Sequence, residues 1–179
     1  MEADMKFYRV IFVLFTAFNV FILLAEDISD LKQKAENGDV SAQFEIGNKY
    51  YCGTDIEQNH ERAFYWMTKA AKQGKPAAEY KLAYMYQMGV GTKINIDLAL
   101  EWYEKSVEHE YQKAKYALGY LYYNGNGVTQ DFEKAAELFL EAAEAGIGEA
   151  YYSIAYMYML GEGLEKSEEK ALSWFEKSA

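Results

Sequence analysis

The residues with the makings of covalent chemistry are two serine–lysine pairs. Ser29 with Lys32, and Ser167 with Lys170, have the Ser-x-x-Lys spacing that β-lactam-acylating enzymes use for their nucleophile. The partner elements of that chemistry, Ser-Asp-Asn and Lys-Thr-Gly, do not occur. His60 and His109 are the only histidines, and no metal site follows from two. Cys52 is the only cysteine, so no internal disulfide can form. Its place before Gly53, at the end of an element, predicts a buried or half-buried thiol, with pairing to another molecule as the alternative. The glycine pairs Gly89-x-Gly91 and Gly125-x-Gly127 would need a strand before them to cradle a phosphate, and each joins two helical patterns instead. No cofactor is implied. What remains is tyrosine, 17 of them. Its ring and hydroxyl combine apolar area with one polar handle at low entropic cost, which suits non-covalent recognition.

The elements that must position these groups are copies of one another. Four columns recur at a spacing of 36 residues: Ala42, Ala78, Ala114, Ala150; Tyr50, Tyr86, Tyr122, Tyr158; Gly53, Gly89, Gly125, Gly161; and Ala63, Ala99, Ala135, Ala171. An aliphatic column (Ile46, Leu82, Leu118, Ile154) and a small one (Gly47, Ala83, Gly119, Ala155) accompany them. A fixed period of this length predicts a solenoid.

Each unit holds two helical patterns. Ala114, Leu118, Gly119 and Tyr122 share one face of a first helix, and Ala135, Leu138, Phe139 and Ala142 one face of a second. The glycine-bearing loop between them supplies the positive φ that ends a helix. Asn59, Asn95, Asp131 and Ser167 occupy one column as N-caps, worth about 1 kcal/mol each over alanine. Acidic residues follow two places on (Glu61, Asp97, Glu133, Glu169), where the helix dipole favours them. Ser167 is therefore a helix cap by position, which weighs against the nucleophile. Asp39 caps one first helix, and Pro76 stands one period after Val40, at a first-turn position that tolerates proline. The small columns let paired helices approach. Trp66, Trp102, Leu138, Trp174 and the tyrosine column then fill the space, each worth about 1.5–3 kcal/mol when buried. No hairpin can bury these alone, so stability comes from the stack.

The 179 residues carry a net charge of −10 and one proline. Nucleic-acid binding needs a basic face, and here the lysines lie beside glutamates as on a solvated surface. Residues 1–25 stand outside the repeat. Lys6 and Arg9 precede an apolar run from Val10 to Ala25, interrupted by Thr16 and Asn19, and Glu26-Asp27 follows. This is the pattern of a secretory signal peptide, and the run is shorter than the roughly 20 residues that span a bilayer. Leu23 is a poor residue three places before a cut at Ala25, so an uncleaved anchor at residues 10–25 stays open. The mature protein would then be periplasmic or secreted, or held at a membrane by that anchor. Residues 26–37 predict a capping helix in register with half a unit, and residues 38–179 four units: 38–73, 74–109, 110–145 and 146–179. The last unit presents Trp174 and Phe175 with no polar cap, which predicts a covered end, a different packing of the last helix, or a chain that is a fragment at Ala179.

The pattern A-x3-L-G-x2-Y-x2-G-x-G-V-x2-D-x2-K-A-x10-G resembles the Sel-one-like repeat, the 36-residue relative of the tetratricopeptide repeat, over residues 38–179. Asp55 departs from it at the second loop glycine, Leu138 at the tryptophan, and Glu110 at the turn glycine of Gly38, Gly74 and Gly146. The resemblance implies an all-α fold, a right-handed α/α superhelix used as a protein-binding scaffold, with one face of each first helix toward a concave groove. That face would hold Phe44, Tyr80, Tyr116 and Tyr152 beside Asn48, Tyr84, Tyr120 and Tyr156, with Tyr51, Tyr123 and Met159 in the next row. The expected peptide-binding residues are Tyr80, Tyr84, Tyr116, Tyr120, Tyr123, Tyr152 and Tyr156, and ordinary repeat packing is the competing role for the column of Phe44 to Tyr152 and for that of Tyr84, Tyr120 and Tyr156. The rival function, implied by a cysteine-rich branch of the same family, is β-lactam binding and hydrolysis. That branch has a disulfide per repeat, and this sequence lacks the cysteines for one.

Overall fold

The second helix of every unit starts where a side chain can take over an orphan backbone donor. Asn59, Asn95 and Asp131 accept the N–H three residues on at 2.9, 3.0 and 2.8 Å, and Ser167 Oγ accepts that of Lys170 at 3.3 Å. The first helices end alike. Gly53, Gly89, Gly125 and Gly161 sit in the left-handed region with φ between 67° and 79°, a conformation that costs glycine nothing.

The computed structural model describes residues 27–178, so the leader or anchor read on residues 1–25 lies outside the described residues. Among the described residues there are nine helices and no strand. Helix α1 covers 27–36. The four units follow as α2 (Val40–Cys52) with α3 (His60–Lys72), α4 (Pro76–Met88) with α5 (Ile96–Glu108), α6 (Gln112–Asn124) with α7 (Phe132–Glu144), and α8 (Gly148–Leu160) with α9 (Glu168–Ser178). Pro76 takes the first turn of α4, and Asp39 accepts the N–H of Ala42 at 2.7 Å to cap α2. None of the described helices is long and apolar enough to cross a membrane.

From α2 onward each helix packs most extensively on its partner within the unit and next on the neighbouring unit's adjacent helix, the arrangement of a solenoid. The alanine columns are the reason. All eight residues of the 42 and 63 columns are buried, bringing the backbones of paired helices together. At Gly47 a Cβ would press on the Met67 side chain, and at Gly119 on the ring of Phe139, so the small column admits one large residue of the second helix. Three buried clusters form along the stack. Tyr86 and Trp102 border both the first and the one around Tyr103, and Tyr122 borders that one and the last, so the core is continuous. Ala35 of α1 is buried in the first cluster and Leu31 packs against it.

Two residues break the turn pattern without breaking the turn. Glu110 takes φ 59° where Gly38, Gly74 and Gly146 take 96°, 77° and 83°, and Asp55 takes φ 63° at the loop position of Gly91, Gly127 and Gly163. Asp55 is also tied to Lys49 by a 2.7 Å ion pair. Glycine at the equivalent loop positions has a second reason to be there. A Cβ on Gly91 would run into the His60 carbonyl, one on Gly163 into the Phe132 carbonyl, and one on Gly127 into Ile96. The loop of each later unit thus lies directly on the start of the second helix of the unit before.

Candidate functional site

The tyrosines that line one side of the stack come from α4, α6 and α8, each 13 residues long and set parallel by the 36-residue register. Between α4 and α6 is a cavity of about 240 Å³ lined by Tyr80, Tyr84, Gln87, Tyr103, Tyr116, Ala117 and Tyr120. Between α6 and α8 is one of about 400 Å³ lined by Tyr116, Tyr120, Tyr123, Phe139, Tyr152, Ser153 and Tyr156. Adding 36 to every number of the first set gives the second. One cup of seven positions therefore occurs twice, and Tyr116 and Tyr120 belong to both, so the two cups form one groove.

Each cup has a base, a floor and two walls. The base is the large residue of the second helix, Tyr103 or Phe139, both buried. The floor is a small residue, Ala117 or Ser153. The walls are tyrosines of successive first helices, and their rings rest on the base: Tyr80 lies 5.7 Å from Tyr103 between centroids, and Tyr116 5.4 Å from Phe139. Exposure rises toward the last unit. Tyr80, Tyr84, Tyr116 and Tyr123 are half-buried, while Tyr120, Tyr152 and Tyr156 are 48%, 53% and 38% exposed. All seven tyrosines expected from the sequence are on the groove, and none is shut inside.

Four phenols at the groove, those of Tyr80, Tyr103, Tyr123 and Tyr152, hold their protons above the ordinary tyrosine range. Burial pushes Tyr80 up, and it pushes Tyr103, whose hydroxyl donates to Gln87 Oε1 at 2.8 Å, far above the ordinary phenol range. The Tyr123 hydroxyl donates to Glu162 Oε2 at 2.6 Å, and that carboxylate raises its pKa to about 12. A hydrogen bond to Tyr156 raises Tyr152. The groove thus offers aromatic faces and phenol hydroxyls.

Sequence reasoning placed Met159 in the third row and missed Gln87, Tyr103, Phe139, Ala117 and Ser153. Translating Tyr123 back by one period would have found Gln87. The base and floor residues were hidden because they look like core.

The other candidates resolve by geometry. Ser167 Oγ accepts the Lys170 N–H as a cap, and the Lys170 ammonium lies 5.2 Å over the Tyr158 ring. Ser29 is exposed on α1. Cys52 is exposed, which corrects the expectation of a buried or half-buried thiol. As the last residue of α2 it shares its column with Met88, Asn124 and Leu160, all turned outward. His109, far from His60 in the repeat, meets a group that sequence reasoning did not pair with it. Its Nδ1 lies 2.8 and 3.0 Å from the two carboxylate oxygens of Glu79, whose residue is 2% exposed. Among the described residues no group of three or more His, Cys, Asp or Glu is placed to hold a metal.

The sequence matches the Sel1 repeat family model four times, over residues 40–75, 76–111, 112–147 and 148–179. A protective antigen present in uropathogenic Escherichia coli strains, displaying an SLR fold, is 30% identical with a TM-score of 0.83. The match covers 87% of this chain and 33% of that one. A Sel1 repeat protein from Oxalobacter formigenes is 36% identical with a TM-score of 0.81, over 84% of this chain and 60% of that one. This chain thus spans about a third and three-fifths of the two. Helicobacter pylori cysteine rich protein B, at 24% identity and a TM-score of 0.50 over 63% of this chain and 85% of its own, shares the fold. No curated protein matches.

Proposed function

We propose, on the premise that this chain belongs to the Sel1 repeat family, that it is an exported scaffold which holds a peptide segment of a partner protein in its tyrosine groove. Members of this family are helical scaffolds, and such repeats generally mediate protein–protein interaction. What supports the groove as the site is one observation: the same seven-position cup is built twice, one period apart, with shared walls. Core packing requires the base residues and the alanine columns, but it does not require Tyr120, Tyr152 and Tyr156 to stand 38–53% exposed. Exposed aromatic rings around a concave, uncharged cup are what an apolar or aromatic side chain of a peptide needs.

The test is site-specific photo-crosslinking in cells. A photoreactive phenylalanine at Tyr84 or Tyr120 captures a discrete partner, capture falls when Tyr116→Ala and Tyr152→Ala are added, and a probe at Lys134 on α7 captures nothing. Capture at Lys134 with none at Tyr84 or Tyr120 would sink the groove assignment. Export rests on the basic, apolar and acidic succession through residue 27. The N-terminal mass of the mature protein decides between cleavage near Ala25 and an anchor. Turnover of nitrocefin by the purified protein, lost in Ser167→Ala, would favour the hydrolase reading instead.

A further inference from the structure

The stack has a third junction between successive first helices, equivalent to the two that carry cups, and it is built differently. The cups between α4 and α6 and between α6 and α8 have a small floor residue, Ala117 or Ser153. One period earlier, between α2 and α4, the floor position is Lys81. Its Nζ lies 3.6 Å over the Tyr51 ring and 5.8 Å from that of Tyr84. A second substitution accompanies it. The position beside the outer wall is Tyr111 in the first tyrosine cup, 5.4 Å from Tyr80 between centroids, and one period on it is Ile147, packed on the last buried cluster. At the α2–α4 junction it is Lys75, whose Nζ lies 5.3 Å over Phe44. Two apolar or small positions have thus become two ammonium groups at the α2 end of this face.

Neither ammonium is neutralised at home. Among the described residues no carboxylate lies within ion-pairing distance of Lys75 or Lys81, a state they share with most of the lysines, but Lys81 combines it with burial deep enough to disfavour its charge. This is so in a protein with net charge −10. Lys81 is half-buried, and a half-buried charge held only by ring faces stands to gain from an anion. Burial holds its pKa below the ordinary lysine value, as expected of an ammonium with no acidic neighbour. The opposite end of the groove has the opposite sign, with Glu162 against Tyr123.

We propose that the peptide held in the groove bears a carboxylate at its α2 end, received by Lys81, with Lys75 as a second positive charge at the same junction. The carboxylate belongs to an Asp or Glu side chain or to the peptide's own C-terminus. This rests on the groove reading and adds to it the ligand's charge and its direction along the stack. Lys81 and Lys75 set specificity, while the tyrosine cups supply apolar contact.

An array of immobilised 12-residue peptides tests it, probed with the labelled full-length protein. Phe- and Tyr-containing sequences are each made with Asp or Glu, with Asn or Gln, or with Lys or Arg, and each with a free acid or an amide at the C-terminus. The wild-type protein retains the acidic members about tenfold or more over their amide isosteres, the scale of one charge-assisted hydrogen bond. The double variant Lys75→Met, Lys81→Met loses that preference and keeps the aromatic one. Lys81→Arg keeps both. Retention that depends on the free terminus in otherwise neutral peptides assigns the carboxylate to that terminus, and retention that depends on Asp or Glu assigns it to a side chain. Methionine preserves the apolar stem, and helicity and melting midpoint check that the variant folds. Tyr120-dependent binding without acidic preference, or a preference that survives in the double variant, overturns this proposal and leaves the groove standing. Binding indifferent to Tyr120→Ala, or no binding, overturns both.

Discussion

Two sets of glycines recur in this protein at the same period, and they are there for different reasons. Gly91 and Gly163, in the loops inside units, lie so close to the start of the preceding second helix that a Cβ would enter the carbonyl of His60 or Phe132. Gly38 and Gly146, in the turns between units, have nothing within 4 Å of where a Cβ would stand. Both sets need a positive φ, but only the first needs absence of a side chain. The repeat itself bears this out: the turn set tolerates Glu110 between two full units, whereas the loop set has a side chain only at Asp55, in the first unit. A recurring residue type therefore does not reveal whether space or backbone angle selected it.

Breaking the loop set should cost most. Gly91→Ala loses about 3 kcal/mol, since left-handed strain adds to a backbone collision that cannot relax, and the urea midpoint should drop accordingly. A loss below about 1 kcal/mol would show that the loop can lift off α3. Gly146→Ala bears the angle alone and costs about 1 kcal/mol. Glu110→Gly removes that same strain from the native protein and stabilises it by about 0.5–1 kcal/mol, read as a raised midpoint. Asp55→Gly relieves its angle but gives up the 2.7 Å pair with Lys49, so its midpoint should stay within about 0.5 kcal/mol of wild type. The comparison is sharpest in alkali, where the loop of the last unit has an extra fastener, Glu162 to Tyr123. The folded protein keeps the Tyr123 proton to about pH 12, and the unfolded one releases it near pH 10. That stabilisation is whole below pH 10 and disappears as pH rises toward 12. Tyr123→Phe should flatten the fall of stability over this interval, and an unchanged slope would show that the hydrogen bond contributes nothing.

Most of the architecture was legible because each helix boundary has a local chemical cause repeated four times. Asn59, Asn95, Asp131 and Ser167 begin helices where their side chains can reach a backbone donor, and the glycines at 53, 89, 125 and 161 end them. The groove was legible in part. Its tyrosines follow from a helical face, but a cup takes walls from two units and a base from the helix between. Tyr103 and Phe139 are buried like any core residue, and nothing in their type marks them as the bottom of a cavity. The pair Glu79 and His109 was out of reach for a related reason, because it joins two columns that are not equivalent. Gln43 and Gln73 occupy the same two columns one period earlier and meet at 2.7 Å, so that contact is geometric inheritance with altered chemistry. Cys52 departs from expectation because its neighbour Gly53 is a poor guide to its exposure, and its outward-facing column mates are the better one.

Copying the cup has a consequence for occupancy. A guest too short to cover both seats meets a degenerate choice between them and gains only a statistical factor of two. Under the proposed binding mode, a guest that reaches the full length has one favoured alignment, because the α2 end is charged where the copies are neutral. Duplication by itself multiplies places to sit, and the single irregular junction is what tells the guest where to start.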